Sequence, residues 1–294
     1  MMKLIKKLFI GVIAVSIILL TGCESNKADL ITVISREDGS GTRGAFIELT
    51  GLEEKTAEGN RTDHTTLEAV IVNKTDVMLT NVAGDMAAIG YASLGSLNSN
   101  VKAVKVNGVE ASAKSISDGT YALSRAFYIA AKNNISEAAS DFMSFILSKE
   151  GQEVVSQGYI KINENAAPFL SNHAEGRVVV AGSSSVSPVM EKLIEAYNRI
   201  NPQVNVELQS SDSTSGMQNT IEGICDIGMS SRSLKESEKA VLTEVKIALD
   251  GIAIIVNPSN KIEDLTKEEI YKIFAGEMSS WSSFQYKSIN VDVD

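Results

Sequence analysis

Four times along the chain, a short apolar run breaks into a serine- and glycine-rich turn and then resumes as apolar positions at helical spacing. Residues 31–34 are β-branched or extended in character and lead into Ser-Arg-Glu-Asp-Gly-Ser-Gly-Thr at 35–42, after which Phe46 and Leu49 anchor a helix. Residues 179–182 lead into a second turn at 183–188, where Ser187 fits a helix N-cap and Pro188 the first helical position. Met190, Leu193, Ile194, Tyr197 and Ile200 then recur as one stripe. A third unit runs from the strand-like 204–208 through a polar turn at 210–216 to Met217, Ile221 and Ile224 on a helix. The fourth runs from 226–232 into a helical stretch at 234–241. Between these units, 138–157 is helical with Phe142, Phe145 and Ile146 on one face, and 132–134 is a turn. Residues 82–91 read as helix end, turn and buried strand, and 126–131 and 252–256 as extended runs. Alternating strand and helix patterns predict an α/β chain.

A strand, a loosened turn and a helix start form an anion cradle, because free backbone N–H groups and the positive helix end converge there. In the first turn Ser40 and Thr42 add hydroxyl donors and Arg36 adds a planar fork. Taken alone, that stretch reads equally well as a polar turn with a surface ion pair. Four such turns in a chain with only two histidines read as a site built from hydroxyls and backbone amides.

Residues 1–22 read as a secretion signal, with Lys3, Lys6 and Lys7 before an apolar core at 8–20, short of the roughly 20 residues a membrane span needs. The core ends in Leu-Thr-Gly-Cys, a lipobox pattern that makes Cys23 the lipidated first residue of the mature chain. The full chain has 27 basic and 37 acidic residues, a net −10; losing the three leader lysines takes it to −13. That balance argues against nucleic acid as a partner. It also repels anions at long range, although salt screens this beyond about 8–10 Å. With Cys23 lipidated, Cys225 stands alone and reads as a small core residue. His64 and His173 lie far apart in loop-like contexts and read as solvated surface residues rather than metal ligands. No motif calls for a cofactor.

Ser-Arg-Glu-Asp-Gly-Ser-Gly-Thr-Arg-Gly-Ala-Phe at 35–46, Ala-Gly-Ser-Ser-Ser-Val-Ser-Pro at 181–188, Asp-Ile-Gly-Met-Ser-Ser-Arg at 226–232 and Ala-Leu-Asp-Gly-Ile-Ala-Ile-Ile-Val-Asn-Pro at 248–258 together resemble the phosphate-binding proteins of phosphate ABC importers. In that family the Ala-Gly-Ser-Ser motif opens the mature chain and the Ser-Arg-Glu-Asp-Gly-Ser-Gly-Thr motif lies mid-chain; here the order is reversed. The resemblance therefore implies a circularly permuted, two-lobe periplasmic-binding-protein-like fold of type II. It implies a tether at 23–28, a split lobe at 29–124 plus 253–294, a continuous lobe at 125–252, crossings near 123–128 and 250–256, and a polar linker at 163–176. Permutation of this kind is tolerated where old termini lie close together and new ends are exposed; a remnant of a tandem duplication or a truncated gene would give the same order.

By the same resemblance, Ser184 and Ser185 form the first phosphate loop, Ser213 the second, and Arg36, Ser40, Gly41 and Thr42 the third. Ser231 matches a position that is aspartate in some members, and Asp38 is expected to orient the Arg36 guanidinium. The implied protein is a lipid-anchored monomer on the outer face of the cytoplasmic membrane of a bacterium, Gram-positive in type. It would pass phosphate to the permease and ATPase subunits of an importer. A binder of sulfate, molybdate or tungstate would use a similar cradle, and a surface protein that binds phosphate without transport is a further alternative. A serine hydrolase or phosphatase would need a base or a metal cluster that no motif supplies.

Overall fold

The computed structural model describes residues 29–56 and 61–284; the leader, Cys23, the tether and residues 285–294 lie outside it. Twelve strands appear among the described residues: β1 (Thr32–Arg36), β2 (Glu53–Lys55), β3 (Arg61–Asp63), β4 (Val70–Val72), β5 (Ala88–Ser93), β6 (Lys102–Val106), β7 (Ser124–Ala131), β8 (Gly176–Ser183), β9 (Val204–Ser211), β10 (Ile227–Ser230), β11 (Thr243–Val256) and β12 (Asp264–Leu265). Strands β2 and β3 form a separate antiparallel pair. The others make one mixed sheet in the order β4-β1-β5-β11-β7-β10-β8-β9, with β6 also on β11 and β12 on β6.

The 14-residue β11 divides this sheet. Its residues 243–251 pair with β7, whereas 252–256 pair with β5. One half therefore gathers β4, β1, β5, β6 and β12 around the end of β11; the other gathers β7, β10, β8 and β9 around its start. Within each half, parallel neighbours (β4–β1–β5 and β10–β8–β9) require crossover helices, which is why strand and helix patterns alternate in the sequence.

Each half has its own aromatic centre. In the first, Phe46 stacks on Tyr91 with ring centroids 4.0 Å apart and meets Phe274 edge-on at 4.7 Å. In the second, Tyr197 packs against Phe142 and Phe145 at 5.0 and 5.4 Å, above Val178, Val180 and Leu193. Cys225 is buried and free, its thiol pushed up by burial, in keeping with a core residue.

Several local expectations need correction. The 138–157 pattern is two helices, Glu137–Leu147 and Lys149–Val155, because Ser148 is extended and caps the second with its hydroxyl accepting from Gly151 N. The helix expected to begin at Pro188 includes Ser187, whose hydroxyl donates to Ser183 O and Ser210 Oγ and does not cap. Ile200 and Ile224 are exposed rather than core; Gly223 ends its helix in a left-handed turn before Ile224 is reached. The 234–241 stretch forms only the short helix Glu236–Lys239.

The 163–176 segment has no helix or strand before β8 but is anchored to the second half. Phe169 packs edge-on against Phe145 at 5.3 Å. Asp141 takes hydrogen bonds from Asn172 N at 2.8 Å, Ser171 Oγ at 3.0 Å, Tyr197 Oη at 2.7 Å and Asn201 Nδ2 at 3.3 Å. Burial alone would raise the Asp141 pKa; these donors outweigh it and hold the carboxyl below its usual value. A depressed native pKa contributes stability above the unfolded value, about 4, that is lost as pH falls through the native one. Asp141→Ala should therefore destabilise the protein by about 2–4 kcal/mol at pH 7, having left several donors unpaired, with a smaller penalty below pH 4. Urea titrations at pH 7 and pH 3.5 check this; an equal penalty at both would show that the ionised carboxylate is not what the donors hold.

Candidate anion site

The three serine turns and the Arg36 turn meet where the halves face each other. Strand β1 delivers Arg36, and the Gly41–Thr50 helix begins five residues later. Ser40 caps that helix, its hydroxyl accepting from Arg43 N at 3.3 Å and keeping its own proton to donate. The N–H groups of Gly41 and Thr42 lie in the first turn, where a helix has no internal acceptors. Across the gap, β8 ends at Ser183 and turns through Ser184 and Ser185 into the helix Ser187–Ile200. Gly182 has φ 135° and lies against the Met229 backbone, so only glycine fits that approach. Asp212 caps the helix Ser213–Glu222 through Ser215 N at 2.9 Å, which places Ser213 at its first position.

These hydroxyls form one connected, buried cluster. Thr42 Oγ1 is 2.7 Å from Ser185 Oγ and 3.4 Å from Ser231 Oγ. Ser231 Oγ accepts from Ser183 Oγ at 2.9 Å and lies 3.4 Å from Ser213 Oγ, which also accepts from Ser231 N at 3.1 Å. Arg36 is 2 % exposed and donates from Nη2 to Ser184 Oγ at 3.1 Å. The halves also touch through the backbone, where Thr214 N donates to Gly39 O at 3.2 Å. Ser183, Ser185, Ser213, Ser231 and Thr42 are each at most 3 % exposed, so the cluster is closed to solvent.

Two anchors differ from expectation. Arg36 is held not by Asp38 but by its neighbour Glu37, which accepts from Nε and Nη2 at 2.8 Å each. Asp38 is exposed and pairs with Arg43 instead. The turn explains the exchange: Arg43 also donates to the Arg36 carbonyl at 3.1 Å and is clamped to Asp63 at 2.7 Å, which draws Asp38 outward. Thr75, at the start of the helix Thr75–Gly84, also belongs to the cluster. Its Oγ1 accepts from Arg36 Nη1 at 3.3 Å and lies 3.1 Å from Ser185 Oγ. The signal for it was a fifth strand-turn-helix unit: the apolar 70–72, the polar Asn73 and Lys74, then Val77 and Met78 at helical positions.

A PBP superfamily domain matches residues 24–150 and 168–293. Phosphate-binding protein PstS 2 of Streptococcus agalactiae is 49% identical over 272 residues, covering 90% of this chain and 92% of the relative. The chain belongs to the PstS family within the PBP superfamily. PstS 2 of Streptococcus pneumoniae is 42% identical, covering 97% of this chain and all of the relative. The crystal structure of a phosphate-binding protein of a phosphate ABC transporter from Streptococcus pneumoniae superposes with a TM-score of 0.68 at 44% identity, over 86% of this chain and 99% of that one. The mixed α/β, PBP-like architecture is thus that of this PstS-family chain.

Proposed function

We propose that the protein captures inorganic phosphate between its two halves and hands it to an ABC importer. The observation that carries this reading is the convergence of Arg36, Thr42, Ser184, Ser185, Ser213 and Ser231 from both halves into one cluster closed to solvent. The relatives' names point the same way. Hydroxyls and helix-start amides recognise an oxyanion by hydrogen bonding, and Arg36 contributes charge-assisted bonds where water is excluded. Ser40 and Gly41 present donors from the helix start, while Asp38 stays outside the site as a partner of Arg43. Cys23 would carry the lipid that holds the monomer at the outer face of the cytoplasmic membrane, beside its permease and ATPase.

The permuted order is part of the proposal. It is supported by how the ends meet: Asp29 Oδ1 accepts from Ser282 N at 2.8 Å, and Leu30 bridges to Ser280. A chain opened between these points keeps its pairing partners side by side.

Isothermal titration of the mature protein is expected to show one phosphate per chain at micromolar affinity or tighter, about −8 kcal/mol. No heat and no thermal shift at millimolar phosphate would end this reading. Ser231 tests the choice of anion. A hydroxyl can donate or accept, whereas a carboxylate there repels a fully ionised anion by several kcal/mol unless the anion shares a proton. Ser231→Asp should therefore weaken sulfate more than phosphate in competition titrations at two pH values. Equal loss for both would remove Ser231 from the ligand-facing set and leave sulfate, molybdate or tungstate as competing ligands.

A further inference from the structure

Apart from the hydroxyl cluster, an ion pair is buried where the halves join. Arg125 of β7 stands opposite Asp250 of β11, and their side chains are 4 % and 1 % exposed. Arg125 Nε and Nη2 donate to Asp250 Oδ2 at 3.2 and 3.1 Å, and the guanidinium centre lies 5.1 Å from the Phe127 ring centroid. Asp250 Oδ1 accepts from Ser93 Oγ at 2.9 Å, at the end of β5 in the other half. The remaining arm of the fork, Nη1, donates to the backbone carbonyl of Ser231 at 3.1 Å.

Desolvating two charges is costly, so a buried pair is weak grounds for stability by itself. An apolar pair would fill this place more cheaply. What it could not do is hold one particular carbonyl at a fixed distance from the strand that joins the halves; a rigid planar fork with donors in two directions can. The residue so held is Ser231, whose hydroxyl and amide both enter the hydroxyl cluster.

We infer that Arg125 is a positioning residue of the anion site, acting through the Ser231 backbone, and that its pairing with Asp250 ties the Ser231 turn to the register of the crossing strands. The inference rests on the phosphate reading of the site. Arg125 holds the turn that presents donors, and the line Ser93–Asp250–Arg125–Ser231 runs from the β5 half to the β10 half through contiguous contacts.

The test is a double-mutant cycle on the mature protein, read by phosphate titration and thermal melting. Arg125→Met should raise the phosphate Kd about tenfold or more; Arg125→Lys should raise it by less, because its ammonium keeps a charged donor, but not restore the parent value, because one ammonium cannot reach both Asp250 and the Ser231 carbonyl. In a Ser231→Ala background, replacing Arg125 should raise Kd by a clearly smaller factor. A merely structural role would lower the melting temperature in both backgrounds while leaving Kd at the parent value, and that result overturns the inference. Equal factors in the two backgrounds overturn it too. Should Arg125→Met not fold, Arg125→Lys decides by the same comparison. A parent that takes up no phosphate overturns the reading of the site and this inference with it; a parent that binds while its Arg125 variants bind equally well overturns this inference alone.

Discussion

Replacing Gly41 with alanine is expected to weaken phosphate binding severely in a protein that still folds. A methyl on Gly41 would overlap the Ser213 hydroxyl and lie 2.7 Å from that of Ser231, both in the opposite half. Neither neighbour is the free end of a long side chain that could swing away. Both are short hydroxyls fixed in the buried cluster. The clash exists only when the halves are together, so it opposes closure and leaves each core untouched. Position 41 is the first residue of its helix, where alanine is at least as favourable as glycine. The expected result is a phosphate Kd raised by about 100-fold or more, roughly 2.7 kcal/mol, with a melting temperature within a few degrees of the parent in the absence of phosphate. Titration and melting on the same samples check both parts. Parent-like affinity would mean that the halves do not close with Gly41 against Ser213.

The second large effect belongs to Arg36. Its guanidinium is buried, paired with Glu37 and directed at Ser184 and Thr75. Arg36→Ala removes charge-assisted donors from the anion and leaves the partly buried Glu37 carboxylate without this partner beside it. Losing a charged hydrogen-bond partner costs about 2–3 kcal/mol, and the freed negative charge adds to it, so a loss of at least 30-fold to 100-fold in affinity is expected. Arg36→Lys should recover only part, since a point charge cannot bridge Glu37, Ser184 and Thr75 together. Titration of phosphate into both variants measures this. Unchanged affinity in Arg36→Ala would move the ligand away from this turn.

Sequence patterns carried the architecture because period and turn chemistry are local properties. The β-branched runs leading to Arg36 and Ser183 are strands, and the positions that alternate with them recur at helical spacing. Boundaries depended on contacts no pattern contains. Ser148 breaks the 138–157 helix because its extended backbone lets its hydroxyl cap the second segment, and Ile224 lies outside its helix because Gly223 turns left-handed. Within the site, residues in turns with repeated serine and glycine were legible. Thr75 carried a signal in its own strand-turn-helix pattern, but Glu37 did not: a carboxylate beside an arginine carries no information about which of two acids the fork will face. That choice was set by Arg43 and Asp63, twenty residues apart in sequence. Arg125 and Asp250 were hidden for a related reason. They sit 125 residues apart in extended runs whose hydrophobic neighbours dominate the pattern.

The long strand β11 has a consequence for folding as well as for motion. Its first nine residues are a sheet strand of one core and its last five a sheet strand of the other. Fraying either core exposes backbone groups of the same continuous segment, and an unpaired buried strand is expensive to keep. Neither half can therefore give up its strand without weakening the other, which couples the two cores into one cooperative unit despite their separate aromatic centres. Whichever half collapses first presents a ready-made edge, on residues already covalently joined to it, for the other to assemble against.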